Sequence, residues 1–374
     1  MRGEAAARAV REVVRLTHLG LDWPTLSGRV GGTLCKVMPF DHACWHTVDP
    51  ASLLFTGVTK DNLDDEARLP YHEYAVADVN QWVTLARSPR PVGILAEATE
   101  DLPDVSPRYR ELLRPRGIAD ELRAAFVAGG TCWGACGIYR DVGRPGFTRA
   151  EAGLVLRVGR HLADGYRRAL LLASSAGTAG QGAGLVLFDH QGAPESVDPV
   201  AAGYLDGVVD QMPRRGDAVP HVVRAVAERA RAAVHDADPA GSLTARARVR
   251  SQDGRWLVLH GTHVTGPAGP RPAVLVEPAT PAELWPVVAD AYRLSARERD
   301  IVLLCLRGAS TTEIADELCV SPHTVQHHLK SVFDKAGVRS RRELVARVFL
   351  DHYWDPVARG TPPHPGGGFT SPAS

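Results

Sequence analysis

Gln326 and Lys330 stand one helical turn apart in "SPHTVQHHLKSVFDKAGV", with Thr324, His327 and Ser331 beside them. The amide of Gln326 both donates and accepts hydrogen bonds, while the ammonium of Lys330 only donates. At this spacing the two have the reach to meet base edges in a major groove. Local charge points the same way. Residues 321–342 carry Lys330, Lys335, Arg339, Arg341 and Arg342 against Asp334 alone, whereas the whole chain balances 43 basic against 43 acidic residues. Cations gathered on one helix and the loop after it suit a phosphate backbone. The other reading of the polar spacing is a solvated face on an ordinary helical hairpin, and the charge argues against it.

Two short helices must position these groups. Ser310 is placed to cap a helix from Thr311 onward, with Ile314, Ala315 and Leu318 on one face. A second helix starts at once, with Ser321 as N-cap and Pro322 at the first helical position. Val325, Leu329 and Val332 form its apolar stripe, and Ala315 is small where the helices must cross. Helices joined this tightly read as a helix-turn-helix, although Leu318, Cys319 and Val320 stand where a glycine is usual. The expected DNA-contacting set is Gln326, His327, Lys330 and Thr324, with Ser310, Thr311 and Ser321 at the helix starts and Lys335 and Arg339 beyond them.

The segment "LSARERDIVLLCLRGASTTEIADELCVSPHTVQHHLKSVFDKAGVRSRRELVARVF" (294–349) closely resembles the LuxR-type DNA-binding domain. The matching elements are Leu294-Ser295-Ala296-Arg297-Glu298, Gly308, Glu313-Ile314-Ala315, Ser321-Pro322-His323-Thr324-Val325, His328-Leu329, Lys335-Ala336-Gly337-Val338 and Ser340-Arg341. The resemblance implies a four-helix unit whose third helix enters the major groove and whose fourth helps to form a dimer. Gln326 stands where the family commonly has its first base-reading lysine; the second is kept as Lys330. The resemblance places His328 as a packing residue or a support for a phosphate contact. Leu344, Val345, Val348 and Phe349 are expected to lie exposed along one side of the fourth helix, as a dimer face.

A chain of 374 residues suggests two or three domains. Its 44% hydrophobic and 23% charged content is ordinary for a soluble protein. No apolar run is long enough to span a bilayer. "MRGEAAARAVREVVRL" reads as an amphipathic helix and not as a signal peptide, and six cysteines in apolar settings fit a reducing cytoplasm. Upstream, helices are expected at about 3–18 and 23–37, a strand within 40–50, and largely helical structure over 61–88. Two strands flank a Gly129-Gly130 turn, and a long amphipathic helix follows Thr148. The small residues of 174–184 mark a boundary. Beyond them come a strand at 184–192, a helix at 222–234, a hairpin over 245–264 turning at Asp253-Gly254, and a closing strand at 272–279. Arg246, Arg248 and Arg250 alternate, which reads as the wet face of an antiparallel sheet or as an anion site. No internal repeat is evident.

The order of elements in residues 1–173 resembles a GAF sensor domain, with "CWGACGIYRDVGRPGFTRAEAGLVLRVGRHLADGYRRAL" carrying most of that resemblance, and residues 184–280 more loosely resemble a PAS-like fold. The expected architecture is therefore multidomain α+β. It comprises a GAF-like sensor (1–173), a PAS-like antiparallel-sheet domain (184–280), a connector helix (281–293), an all-α LuxR-type helix-turn-helix domain (294–355) and a disordered tail (356–374). The resemblance implies a cytoplasmic transcriptional regulator, a homodimer on double-stranded DNA, with a small-molecule ligand in the sensor half as an open possibility. The sequence identifies no cofactor.

Cysteine and histidine chemistry in the sensor half supplies the alternative, a ligand- or redox-responsive enzyme or sensor. His42, Cys44 and His46 alternate, but same-face residues on a strand lie nearly 7 Å apart, too far for three to ring one ion comfortably. Cys132 and Cys136 would be about 13 Å apart on a strand, beyond disulfide reach, which leaves pairing of either with Cys44. Trp45, Phe55, Trp82 and Trp133 either line a ligand pocket or form plain core. No nucleophile motif, phosphate loop or metal-ligand spacing supports an enzyme. Nor do alternating βα units surround "GLVLFDHQG", as a phosphoacceptor domain would require.

Overall fold

Two five-stranded antiparallel sheets share one strand order, second–first–fifth–fourth–third, in a computed structural model of the chain. The structure describes residues 3–61, 63, 68–172, 182–208, 219–234, 244–252, 254–266 and 269–353. The boundary segment at 174–181, Asp253 of the expected turn and the tail at 356–374 lie outside the described residues.

The first sheet comprises β1 (His42–Val48), β2 (Phe55–Asp61), β3 (Val92–Ile94), β4 (Ile118–Ala128) and β5 (Thr131–Asp141). Its helices are α1 (Gly3–Leu16), α2 (Trp23–Cys35), α3 (Leu69–Tyr74), α4 (Trp82–Arg87), α5 (Leu95–Ala98) and α6 (Arg149–Leu172). The second sheet comprises β6 (Gly184–Phe188), β7 (Pro194–Val197), β8 (Arg246–Arg250), β9 (Trp256–Gly266) and β10 (Gly269–Pro278), with α7 (Pro199–Leu205) and α8 (His221–Val234). The strand order recurs although the sequence does not, because β-sheet topology constrains the apolar alternation and the turns but not the residue identities.

Local chemistry explains the better-formed elements. Gly129 and Gly130 take φ of +62° and +81°, the left-handed pair that joins β4 to β5 in a tight hairpin. Thr148 opens α6 reciprocally with Glu151: its hydroxyl accepts from the Glu151 amide at 3.3 Å, and its own amide donates to the carboxylate at 2.8 Å. Over residues 61–88 the expected helix is broken up. β2 runs on to Asp61, and among the described residues of that span helix is found at α3 and α4 only.

One apolar core runs from Phe55 and Tyr74 of the first sheet's layer to Val222, Val226, Ala247 and Val249 of the second. This corrects the reading of the three alternating arginines. Their face is not wet, because the first sheet's β1–β2 turn packs on it. Arg248 is buried and holds Asp49 through Nη1 at 2.9 and 3.2 Å, while its amide donates to the same carboxylate at 2.8 Å. Asp49 is buried too and accepts from the Ala51 amide, so the Asp49-Pro50 turn doubles as the seat of the ion pair. Arg250 donates to the Leu170 carbonyl at 3.0 Å.

The four aromatics do not share one pocket. Trp45 packs on Phe126, which meets Tyr166 of α6, whereas Phe55 and Trp82 pack about His46 on the opposite face of the sheet. Pairing of Cys44 with Cys132 or Cys136 is likewise corrected. All six cysteines are free, and Cys44 stands opposite Gly137, with Cys136 opposite Trp45 and so on the other face.

Over the described residues from Ala279 to Tyr353, the regular elements of a second compact unit are all helices: α9 (Pro281–Ala291), α10 (Ala296–Leu306), α11 (Thr311–Glu317), α12 (Pro322–Ala336) and α13 (Arg341–Tyr353). The connector helix is thus part of this unit. Thr280 and Glu283 cap α9, and left-handed Arg293 (φ +55°) turns the chain into α10. The expected exposed stripe on the fourth helix is also corrected. Leu344 and Val348 are buried at 1% exposure each, and Val345 is half-buried. They face inward because α13 packs on α9, α10 and α12. The side chain of Phe349 lies outside the described residues.

Candidate nucleic-acid interface

Ile301, Leu304 and Cys305 of α10, Ile314 and Ala315 of α11, and Val325 and Leu329 of α12 form one apolar cluster. It fixes the backs of α11 and α12. Ser310 caps α11 reciprocally with Glu313, and Ser321 caps α12 by accepting from the Thr324 amide at 3.1 Å. α12 ends at Gly337, whose φ of +65° supplies the left-handed C-cap. The turn between the helices lacks glycine, and Cys319 takes up the left-handed conformation at φ +52°.

With the backs fixed, the outward face of α12 is determined. His323, Gln326, His327 and Lys330 are exposed and Thr324 is half-buried. Gln326 Nε2 donates to Thr311 Oγ1 at 3.3 Å, joining the two helices across their outer edge. Ser310 and Ser321 are exposed, but their hydroxyls already serve the helix ends. Arg339 is exposed in the loop after α12, and its amide donates to Glu343. His328 is half-buried beside His327, with ring centroids 6.0 Å apart.

Lys335 and Ser331 are tied inward by a residue that spacing alone did not single out. Glu298 of α10 is 4% exposed, and it accepts from Lys335 Nζ at 2.6 Å and from Ser331 Oγ at 2.7 Å. It also accepts from the Ser295 amide at 2.7 Å, closing the capping box of α10. Burial alone would raise its pKa, but hydrogen bonds from Lys335, Ser331 and Ser295 bring it down to about 2. The Ser295-x-x-Glu298 spacing is a signal that could have found the cap, but nothing local marks the second helix that uses the same carboxylate.

The sensor half holds a buried ionic network that was also not anticipated. Arg123 lies 3.5 Å over the Trp82 ring and pairs with Glu73 at 3.0 Å and Glu121 at 3.1 Å. Arg108 pairs with Glu121 at 2.7 Å and with Asp78 at 3.4 Å, and all five charged side chains are at most 1% exposed. The available signal was Glu121 and Arg123 two apart in the otherwise apolar "ELRAAF", hence on one face of a central strand. His46 Nε2 lies 3.4 Å from Cys44 Sγ, which in turn meets the Tyr139 hydroxyl at 3.2 Å. His42 instead meets Asp141 at 2.8 Å, so the three alternating residues do not converge. Burial holds His46 well below its ordinary pKa and pushes the Cys132 thiol up to about 12. Neither group is charged near neutrality, so this region offers no activated nucleophile in Cys132.

Residues 292–348 match the family model described as bacterial regulatory proteins, luxR family. The chain is 43% identical over 68 residues to the monoamine regulon transcriptional regulator of Klebsiella aerogenes, which covers 18% of this chain and 28% of that protein. It is 36% identical over 55 residues to the spore germination protein GerE of Bacillus subtilis (strain 168), covering 15% of this chain and 74% of that one. The chain thus spans under a third of the first relative and most of the second. A GAF domain of a phosphoenolpyruvate-protein phosphotransferase from Coxiella burnetii aligns with 44% of this chain and 93% of its own at 14% identity and a TM-score of 0.32. At that score the first sheet is described by its own strand order and not by the likeness. No described helix is long and apolar enough to cross a membrane.

Proposed function

This chain belongs to the luxR family of bacterial regulatory proteins, and from that premise we propose that it is a sequence-specific DNA-binding transcriptional regulator whose sensor half modulates DNA binding or dimerisation. One observation carries the reading. Gln326, His327 and Lys330 are exposed together on a capped helix whose opposite side is sealed by the core of its own unit. In this proposal α12 lies in the major groove of double-stranded DNA, with Gln326 and Lys330 on base edges and Thr324 and His327 beside them. Ser310, Thr311 and Ser321 bring the starts of α11 and α12 to the phosphates, and Arg339 adds a cation. Lys335 holds α12 on Glu298 and presents its remaining charge to the backbone. The active species is a cytoplasmic homodimer, with its two copies of α12 about 34 Å apart on one side of the duplex. Residues 1–173 and 184–280 form the sensor, and no catalytic turnover is ascribed to them.

The test is capture and sequencing of genomic DNA fragments on the purified full chain, followed by competition binding at fixed salt. A common sequence should be enriched. Gln326→Ala and Lys330→Ala should each cost about 1–3 kcal/mol on that sequence and much less on unrelated DNA. Absence of any salt-sensitive DNA retention by the full chain would overturn the reading.

A further inference from the structure

At the end of β3 the first sheet leaves a groove of about 290 Å³ between β4 and α6. Pro91 is its cause on the strand side. Its carbonyl accepts from the Ala125 amide at 2.9 Å, but proline has no N–H to return, so the ladder stops there while β4 runs on to Ala128. On the helix side Gly159 lets α6 come close: a Cβ there would lie 3.6 Å from Phe126 and 3.9 Å from the Ala125 carbonyl. Buried Ala124 and Val155 make an apolar floor, and half-buried Pro91, Val127 and Leu156 carry it toward solvent. The rim is cationic. Arg157 and Arg160 are exposed, and among the described residues no carboxylate meets either guanidinium. The two acidic residues of α6 are committed elsewhere, Glu151 to Arg140 at 2.7 Å and Asp164 to Arg167 at 3.7 Å. The field of Arg160 reaches its neighbour His161, whose pKa burial and that cation hold below its ordinary value.

We propose that this groove binds a fatty acid of short to medium chain, its carboxylate on Arg157 and Arg160 and its chain along Pro91, Val127 and Leu156. The guanidinium fork matches a carboxylate by paired, charge-assisted hydrogen bonds. The apolar floor removes the chain from water, and the volume stands at the small end of ligand sites, which suits a single short chain. A neutral lipid would leave the arginines unanswered. A second copy of this chain, seated by a two-fold axis, would set the same arginines against each other. An anionic amphiphile answers both halves of the groove at once. The inference names a ligand class for the proposed sensor half and rests on that reading.

The experiment is calorimetric titration of the purified full chain with potassium octanoate, with potassium acetate and 1-octanol as controls at matched ionic strength. Acetate carries the charge without the chain, and 1-octanol the chain without the charge. Octanoate should bind saturably and about tenfold or more tighter than either control. Arg157→Gln and Arg160→Gln should each weaken octanoate about fivefold to tenfold. Both side chains are exposed, so neither substitution threatens the fold. Arg11→Gln removes the same charge from exposed α1 and should leave the affinity unchanged. No octanoate binding beyond acetate, equal binding of 1-octanol, an affinity unmoved by either groove substitution, or equal weakening by Arg11→Gln overturns the proposal. DNA capture is measured separately and without octanoate, so failure of the groove and failure of the regulatory reading are distinguishable.

Discussion

Glu298→Gln should destabilise the helical unit and abolish much of its sensitivity to acid. The substitution keeps the shape of the side chain and one oxygen for Ser331, but it removes the charge that Lys335 and the Ser295 amide address. The folded carboxyl titrates at about 2, against an ordinary 4.5. That difference corresponds to about 3 kcal/mol favouring the folded state when the group is ionised. The sign follows from the depressed pKa. The stabilisation is fully present above about pH 5, declines as the pH falls below 4.5, and is gone once the pH passes below about 2. Urea unfolding of residues 279–374, followed by far-ultraviolet circular dichroism, measures it. At pH 7 the variant should be about 2–3 kcal/mol less stable, and the two curves should converge as the pH approaches 2. A difference under about 0.5 kcal/mol at pH 7, or one that persists undiminished in acid, would refute the assignment of Glu298 as the ionised tie between α10 and α12.

Three further outcomes follow from the same geometry. Arg248→Ala leaves Asp49 buried without its partner and should lower the stability of the sheet-bearing unit by about 3–5 kcal/mol in urea unfolding; an effect below 1 kcal/mol would place no weight on that pair. Cys319→Gly relieves a left-handed, non-glycine residue in the turn and should raise the stability of the helical unit by about 0.5–1 kcal/mol in the same assay. A Gly-Ser insertion tests coupling only if it spares α9, since one placed after Glu283 would fall inside that helix, directly after its Thr280–Glu283 capping box. Placed between Pro278 and Ala279, where the compact units meet in the chain, it should leave DNA affinity intact and abolish regulation in cells; regulation that survives would replace a rigid connector with simple tethering.

The helix-turn-helix was legible because its determinants are local. Ser310, Ser321 and Pro322 act on the turn that immediately follows them, and Ile314, Val325 and Leu329 are three or four residues from their neighbours on the same face. The hairpin at Gly129-Gly130 was legible for the same reason. The turn without glycine is legible as an irregularity, but its solution is not, because a non-glycine residue such as Cys319 takes the left-handed φ only when the packing of both helices requires it. Periodicity also located the stripe of Leu344 and Val348 correctly and assigned it the wrong partner. An apolar face must be covered, but spacing does not say whether a second copy or a neighbouring helix covers it, and here α13 turns it inward.

Charge was the least legible feature. The sheet rule sends alternating arginines to water, and it failed at Arg248 because a second layer supplied a buried carboxylate about 200 positions away in sequence. The same holds for Arg123, whose partner Glu73 is 50 positions away, and for Lys335, whose partner Glu298 is 37 away. For Arg248 and Arg123, burial of the cation is tolerable only because an anion from another element meets it at hydrogen-bond distance. Lys330 and Arg339 differ from these three in that, among the described residues, no carboxylate meets either side chain. The even balance of 43 basic and 43 acidic residues therefore conceals an uneven distribution of function. Cations such as Arg248, Arg123 and Lys335 tie elements together, and cations left on the outer face of α12 and the loop after it remain available to a polyanion. That distinction between committed and available charge, more than net charge, is what makes α12 the candidate DNA-reading surface.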